Sequence, residues 1–190
     1  MGRRAVFLRL TGCNLKEKCS LDCDTKYAWD GGKDLEIREV REKLFDLLDE
    51  DEILVITGGE PMLEEESLKA LNSPRLEPII VETNGTITPS ENWANFWSVS
   101  PHSDIDYQEW RRLDNVYFKF VCSNDHHLDS VDKIVDRENL DEERIWIMPE
   151  GYTEEKLVRS RSNIKERVLD SDYNYSDRLQ ILLWGGRRGT

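Results

Sequence analysis

Leu10 to Trp29 reads LTGCNLKEKCSLDCDTKYAW, and three of the chain's four cysteines, Cys13, Cys19 and Cys23, fall inside it. They lie too close together for an ordinary disulfide framework, whereas three thiolates on one short polar loop can converge on a metal centre. A structural zinc site wants four protein ligands, and the first histidine in the chain is His102. A four-iron four-sulfur cluster held by three cysteines keeps one iron without a protein ligand, able to bind a substrate or cofactor directly. The cluster therefore suits three cysteines better than zinc does, with a zinc knuckle or unconnected thiols as the alternatives.

Outward from the loop, the pattern is strand, turn, helix. Ala5 to Leu10 is β-rich and opens directly into the cysteines. Glu36 to Asp49 puts Ile37, Val40, Leu44, Leu47 and Leu48 on one helical stripe with charges opposite, which predicts a surface helix. Ile53 to Thr57 is a short apolar strand ending in Gly58-Gly59-Glu60-Pro61, after which LEEESLKALN regains helical character. PIIVETNG, FWSVSPH, VYFKFVCS and RIWIMPEG read as further strands with polar tips. Thr153 to Leu169 reads as a long charged helix with Leu157, Ile164 and Val168 on its apolar side, and RLQILLWGG as a closing strand. Alternating strands and helices imply right-handed parallel crossovers, with ligands at the carboxyl ends of the strands. About six or seven strands are too few for an eight-unit barrel, so the expected architecture is α/β, an open, partial TIM-like barrel.

At 190 residues one domain, 1–190, is expected, able to bury its core without disulfides. The 39 Asp and Glu against 26 Lys and Arg leave a formal charge of −13, which would repel a phosphate backbone and disfavours direct nucleic-acid binding. The mean hydropathy of −0.66 does not imply disorder, because acidic residues are interleaved with Trp, Ile, Leu and Val. An acidic surface also suits work at high salt. No stretch has membrane-spanning length and the start is too weakly apolar for a secretory signal, so a cytoplasmic, reducing compartment is expected.

Several strand ends carry chemistry and each has a plainer explanation. Gly58 and Gly59 permit close backbone approach and the Glu60 carboxylate suits an ammonium, although a Gly-rich turn before Pro61 needs no ligand. Glu82-Thr83-Asn84-Gly85 is a ligand-facing strand end or simply an Asn-Gly turn. Thr25 and Asp24 read as a local turn or helix cap. Cys122 reads as a small buried residue, and His126-His127 as an exposed turn without a converging cysteine.

With its flanking strand, the phrase GCNLxxxCxxxCDTKYAW resembles the cluster loop of radical S-adenosylmethionine enzymes, in particular the 7-carboxy-7-deazaguanine synthase family. The family loop reads CxxxCxxC, and here the gaps are longer by two residues and by one. GGEP, ETNG, MPEG and the ending RLQILLWGGRRGT have family counterparts, while Ser100-Pro101-His102 stands where the family commonly has Ser-Pro-Lys. The resemblance spans Val6 to Thr190 and implies a radical S-adenosylmethionine barrel shortened at its N-terminus, since the family's SxQGEG segment is absent, with strand and tail 178–190 near the substrate pocket.

By the resemblance, Cys13, Cys19 and Cys23 ligate the cluster, Thr25 helps bind Mg2+, and Gly58, Gly59, Glu60 and Ser100 contact S-adenosylmethionine. Glu82, Thr83, Asn84 and Arg187, with Arg188 beside it, would meet the substrate. The implied reaction converts 6-carboxy-5,6,7,8-tetrahydropterin to 7-carboxy-7-deazaguanine with loss of ammonia, feeding deazapurine (queuosine, archaeosine or modified DNA base) biosynthesis. A reductant such as flavodoxin or ferredoxin is implied, as is a homodimer. Two rival readings are an activating enzyme that abstracts hydrogen from a partner protein to make a glycyl radical, and a non-catalytic relic that keeps the fold.

Overall fold

The computed structural model describes residues 3–19, 23, 25–102 and 105–185, which fall into two compact units, Arg3–Val116 and Tyr117 onward. The first contains β1 (Ala5–Leu10), α1 (Ile37–Leu47), β2 (Ile53–Gly58), α2 (Glu65–Leu71), β3 (Ile79–Thr83), β4 (Phe96–Val99) and α3 (Tyr107–Arg111). Its strands are all parallel and lie side by side in chain order, so the cysteine loop, GGEP, ETNG and Ser100-Pro101-His102 emerge along the same edge of this unit.

Strand β2 runs through the middle, and Leu54, Val55, Ile56 and Thr57 are all buried, as expected of a parallel strand enclosed on both faces. One face of the sheet carries Leu54, Ile56, Ile79, Val81, Trp97 and Val99, a buried core shared with Leu44 of α1 and Leu68 and Leu71 of α2. Trp97 meets Trp93 and Trp110 edge to face at 5.1 and 5.7 Å. Along α1 the expected stripe holds at Leu44, with Ile37, Val40 and Leu48 half-buried, but Leu47 is exposed because it sits at the flank of the stripe on the last helical residue.

The second unit contains all but the first residue of β5 (Val116–Cys122), with α4 (Asp125–Glu138), β6 (Ile145–Pro149), α5 (Glu154–Leu169), β7 (Asn174–Tyr175) and α6 (Leu179–Trp184). Strands β5, β6 and β7 are parallel neighbours in that order. Alternation along β5 buries Phe118, Phe120 and Cys122 and leaves Tyr117, Lys119 and Val121 half-exposed. Leu157, Ile164 and Val168 are buried on α5 as the periodicity predicts, and the Thr153 hydroxyl caps that helix by accepting the Lys156 N–H at 3.3 Å.

Two local expectations are corrected here. The stretch RLQILLWGG forms a helix, α6, and not a final strand: Leu and Gln are good helix formers, only Ile181 is buried, and Gly185 ends the helix at φ +61°. The seventh strand is instead the two-residue β7, which has no apolar run to announce it. His126-His127 is likewise no loop turn but the first turn of α4, where the Asn124 side chain accepts the His127 N–H at 3.1 Å. No helix among the described residues is long and apolar enough to cross a membrane.

Candidate functional site

The site begins where β1 runs into the cysteine loop. Gly12, at φ +95°, donates its N–H to the Ala28 carbonyl at 2.9 Å and so closes the neck of the loop. The end of β2 leans directly on this neck: the Gly59 N–H donates to Leu10 O at 3.1 Å and the Glu60 N–H to Gly12 O at 2.7 Å. A Cβ at Gly59 would lie 1.9 Å from Gly12 O, and one at Gly58 2.3 Å from Leu10 O. The paired glycines are thus required first by backbone packed against backbone, which joins the cysteine loop to GGEP.

Cys13, Cys19 and Cys23 lie on this loop as half-buried cysteines outside any disulfide. Among the described residues no three His, Cys, Asp or Glu side chains are gathered as they would be around one metal ion. A cubane cluster takes its thiolates on different irons and so spreads them wider than a single ion does, and a set of three partly exposed cysteines outside any disulfide fits that donor chemistry. One contact was not legible in the sequence: Cys19 Sγ lies 3.6 Å from His102 Nδ1, just beyond β4. Burial pushes the His102 imidazole below its usual range.

Glu60 is buried, and its carboxylate accepts the Met62 N–H at 3.0 Å, the Thr83 hydroxyl at 2.7 Å and the Asn84 N–H at 2.7 Å. Burial raises its proton affinity above that of an ordinary carboxylate, against the lowering effect of the Asn84, Met62 and Thr83 donors. The carboxylate therefore ties the end of β2 to the end of β3. The Asn84 side chain donates to Asn14 Oδ1 at 2.9 Å, and Asn14 in turn donates to the Thr86 hydroxyl at 2.7 Å. Asn14 and Thr86, which sequence reasoning passed over, thus couple the cysteine loop to ETNG. Thr83 and Asn84 spend their side chains on these internal bonds.

Glu82 faces the other way. Register places Arg9, Thr57, Glu82 and Ser98 in one row across β1 to β4, and the Thr57 hydroxyl donates to Glu82 at 3.2 Å. One step nearer the strand starts, Phe7, Val55, Ile80 and Phe96 form an apolar row on the same face, with Phe7 and Phe96 largely exposed. Arg9, whose guanidinium lies 5.6 Å from the centre of the Tyr27 ring, is a second residue the sequence did not single out. Its signal was available, because residues two apart on a strand share a face.

Ser100 continues the β3–β4 ladder, its N–H donating to Thr83 O at 2.8 Å. Thr25 precedes the short helical turn Lys26–Ala28 and its side chain makes no cap hydrogen bond there. Asp24, Arg187 and Arg188 lie outside the described residues. Cys122 is buried, and burial with the nearby Asp132 charge pushes its thiol up to about 12, as befits a packing residue. In the second unit a cavity of about 270 Å³, lined by Leu128, Asp132, Arg167 and Tyr173 among others, touches none of the candidate residues.

No family model matches the chain. It is 32% identical to the 7-carboxy-7-deazaguanine synthase of Hyperthermus butylicus across 96% of its own length and 85% of that protein. It is 29% identical to the synthase of Pyrobaculum aerophilum across 100% of its own length and 90% of that protein. Among solved structures it resembles QueE from Escherichia coli, with a TM-score of 0.67 at 20% identity over 94% of this chain and 86% of that one. Native anSMEcpe with bound AdoMet and Cp18Cys peptide matches with a TM-score of 0.58 at 16% identity, over 98% of this chain and 67% of that one. These likenesses bear out the expected fold class, α/β of the partial TIM-like barrel type seen in radical S-adenosylmethionine enzymes.

Proposed function

The chain belongs to the 7-carboxy-7-deazaguanine synthase family, radical S-adenosylmethionine lyases that use a four-iron four-sulfur cluster, and on that premise we propose that it converts 6-carboxy-5,6,7,8-tetrahydropterin to 7-carboxy-7-deazaguanine with release of ammonia. The observation that carries this reading is the convergence of the cysteine loop, GGEP and ETNG along one edge of one parallel sheet, bound together through Gly12, Glu60 and Asn14. On this reading Cys13, Cys19 and Cys23 hold the cluster, and the whole chain serves as one catalytic domain. When bound, the cluster would supply the single electron on which S-adenosylmethionine radical chemistry depends.

The chain's own residues bind, orient and exclude water. Gly58, Gly59 and Ser100 present strand-end backbone to the cofactor, and Glu60 fixes that backbone through its bonds to Met62 and Asn84. Glu82, partly exposed beside Thr57, offers an acceptor to the N–H groups of a pterin, while Thr83 and Asn84 hold the Glu82 backbone in place. Thr25 is assigned to Mg2+ and Arg187 to the anionic substrate. The product would enter deazapurine modification in the cytoplasm, and flavodoxin or ferredoxin would reduce a homodimeric enzyme.

The test is anaerobic reconstitution with iron and sulfide, followed by reductant, S-adenosylmethionine and the carboxytetrahydropterin, with products identified by mass spectrometry. 7-Carboxy-7-deazaguanine is the expected product. Formation of 5′-deoxyadenosine alone would reopen the substrate and point toward an activating enzyme; a protein that takes up no cluster would be the relic.

A further inference from the structure

We propose that His102 is a positioning residue for the cluster, donating its Nδ1–H to the Cys19 thiolate and thereby raising the affinity of the cluster for an electron. The inference rests on the ligand assignment made above and concerns a residue that none of the motifs names as a ligand. His102 Nδ1 lies 3.6 Å from Cys19 Sγ, a length suited to a hydrogen bond onto the larger sulfur atom. Among the described residues this is the one hydrogen bond the His102 side chain makes.

Both partners are held from behind. Ser100, two residues before His102, is pinned to β3 by its N–H to Thr83 O at 2.8 Å, and Pro101 fixes the backbone between them. Cys19 closes the single helical turn Lys16–Lys18, its N–H donating to Lys16 O at 3.1 Å. The contact thus joins two anchored segments 83 residues apart in sequence.

The chemistry follows from charge. A thiolate ligand gains negative charge when its cluster is reduced, so a donor to that sulfur stabilises the reduced form more than the oxidised form. The chain's formal charge of −13 acts in the opposite sense, because a negative field disfavours an added electron. A local donor at Cys19 offsets that penalty where it matters most, at the sulfur itself.

The experiment compares the reconstituted wild type with His102→Leu, which removes the donor, and His102→Asn, whose amide nitrogen can occupy the Nδ1 position. The reduced cluster is followed by electron paramagnetic resonance in an anaerobic redox titration. At a fixed potential the ratio of reduced to oxidised cluster is expected to fall about tenfold in His102→Leu, ~59 mV for one electron, and to recover in His102→Asn. Pulsed resonance on wild type grown with nitrogen-15 histidine is expected to show a weak coupling through the hydrogen bond. This measurement needs no variant, and it decides the matter if His102→Leu does not fold or load.

A strong coupling, marking direct ligation to iron, overturns the proposal, as does no coupling at all. A loaded cluster with the same potential in all three proteins overturns this inference and leaves the proposed function standing. Failure of the wild type to take up iron and sulfide overturns the ligand assignment and this inference with it.

Discussion

Oε2 of Glu60, at the end of β2, accepts the backbone N–H of Asn84, at the end of β3, at 2.7 Å, with both residues buried. The same carboxylate also satisfies Met62 N–H and the Thr83 hydroxyl, so its removal strands three donors at once. Glu60→Ala is expected to lower unfolding free energy by about 3 kcal/mol, the order of leaving buried polar groups unpaired. Urea denaturation checks this, and a loss under about 0.5 kcal/mol would show that these bonds contribute little.

The raised proton affinity of Glu60 has its own signature. A carboxyl that holds its proton more tightly in the folded chain contributes stability fully below the ordinary carboxylate value of 4.5, and loses it as pH rises through the folded value. Glu60→Gln cannot titrate. The stability of wild type minus that of Glu60→Gln should therefore decline from pH 4.5 upward until Glu60 is fully ionised, and a difference that rises with pH would contradict the burial argument.

Gly59→Ala tests the seam between the cysteine loop and GGEP. The added methyl meets Gly12 O, whose residue is itself fastened to Ala28, so relief requires moving the neck of the loop. A destabilisation of about 1–3 kcal/mol is expected, the range for overpacking a close contact. Iron content after reconstitution should fall with it, and normal iron in a destabilised protein would separate the seam from the cluster.

The four thiols should differ in reactivity. With its thiol pushed up to about 12 inside the core, Cys122 is almost entirely protonated and shielded at pH 8, whereas Cys13, Cys19 and Cys23 are partly exposed. Iodoacetamide on folded, cluster-free protein should modify the three loop cysteines and reach Cys122 only after denaturation. Peptide mass mapping reads the outcome directly.

Much of this fold could be read in advance because strong periodicity and turn chemistry agree. Alternation at Phe118, Phe120 and Cys122, and the stripe at Leu157, Ile164 and Val168, each led to the right element. The ending RLQILLWGG did not, since a short apolar run has no period that separates strand from helix, and β7 carries no run at all. At the site, motif words found the strand ends but not the bonds between them. Asn14, Thr86 and His102 matter through partners 70 to 83 residues distant in the chain, a proximity only the parallel sheet creates.

The hydrogen bond from Gly12 to Ala28 turns everything between them into a bag closed by a drawstring. What β1 and β2 sense is the knot, while Asn14 and Cys19 tie the loop itself to residues beyond β3 and β4. Extra residues inside such a closed excursion cost only the slow logarithmic growth of closure entropy, roughly 0.6 kcal/mol for each doubling in length. The wide gaps between Cys13, Cys19 and Cys23 are thus insulated from β1 and β2, so a change in ligand spacing need not alter those two strands.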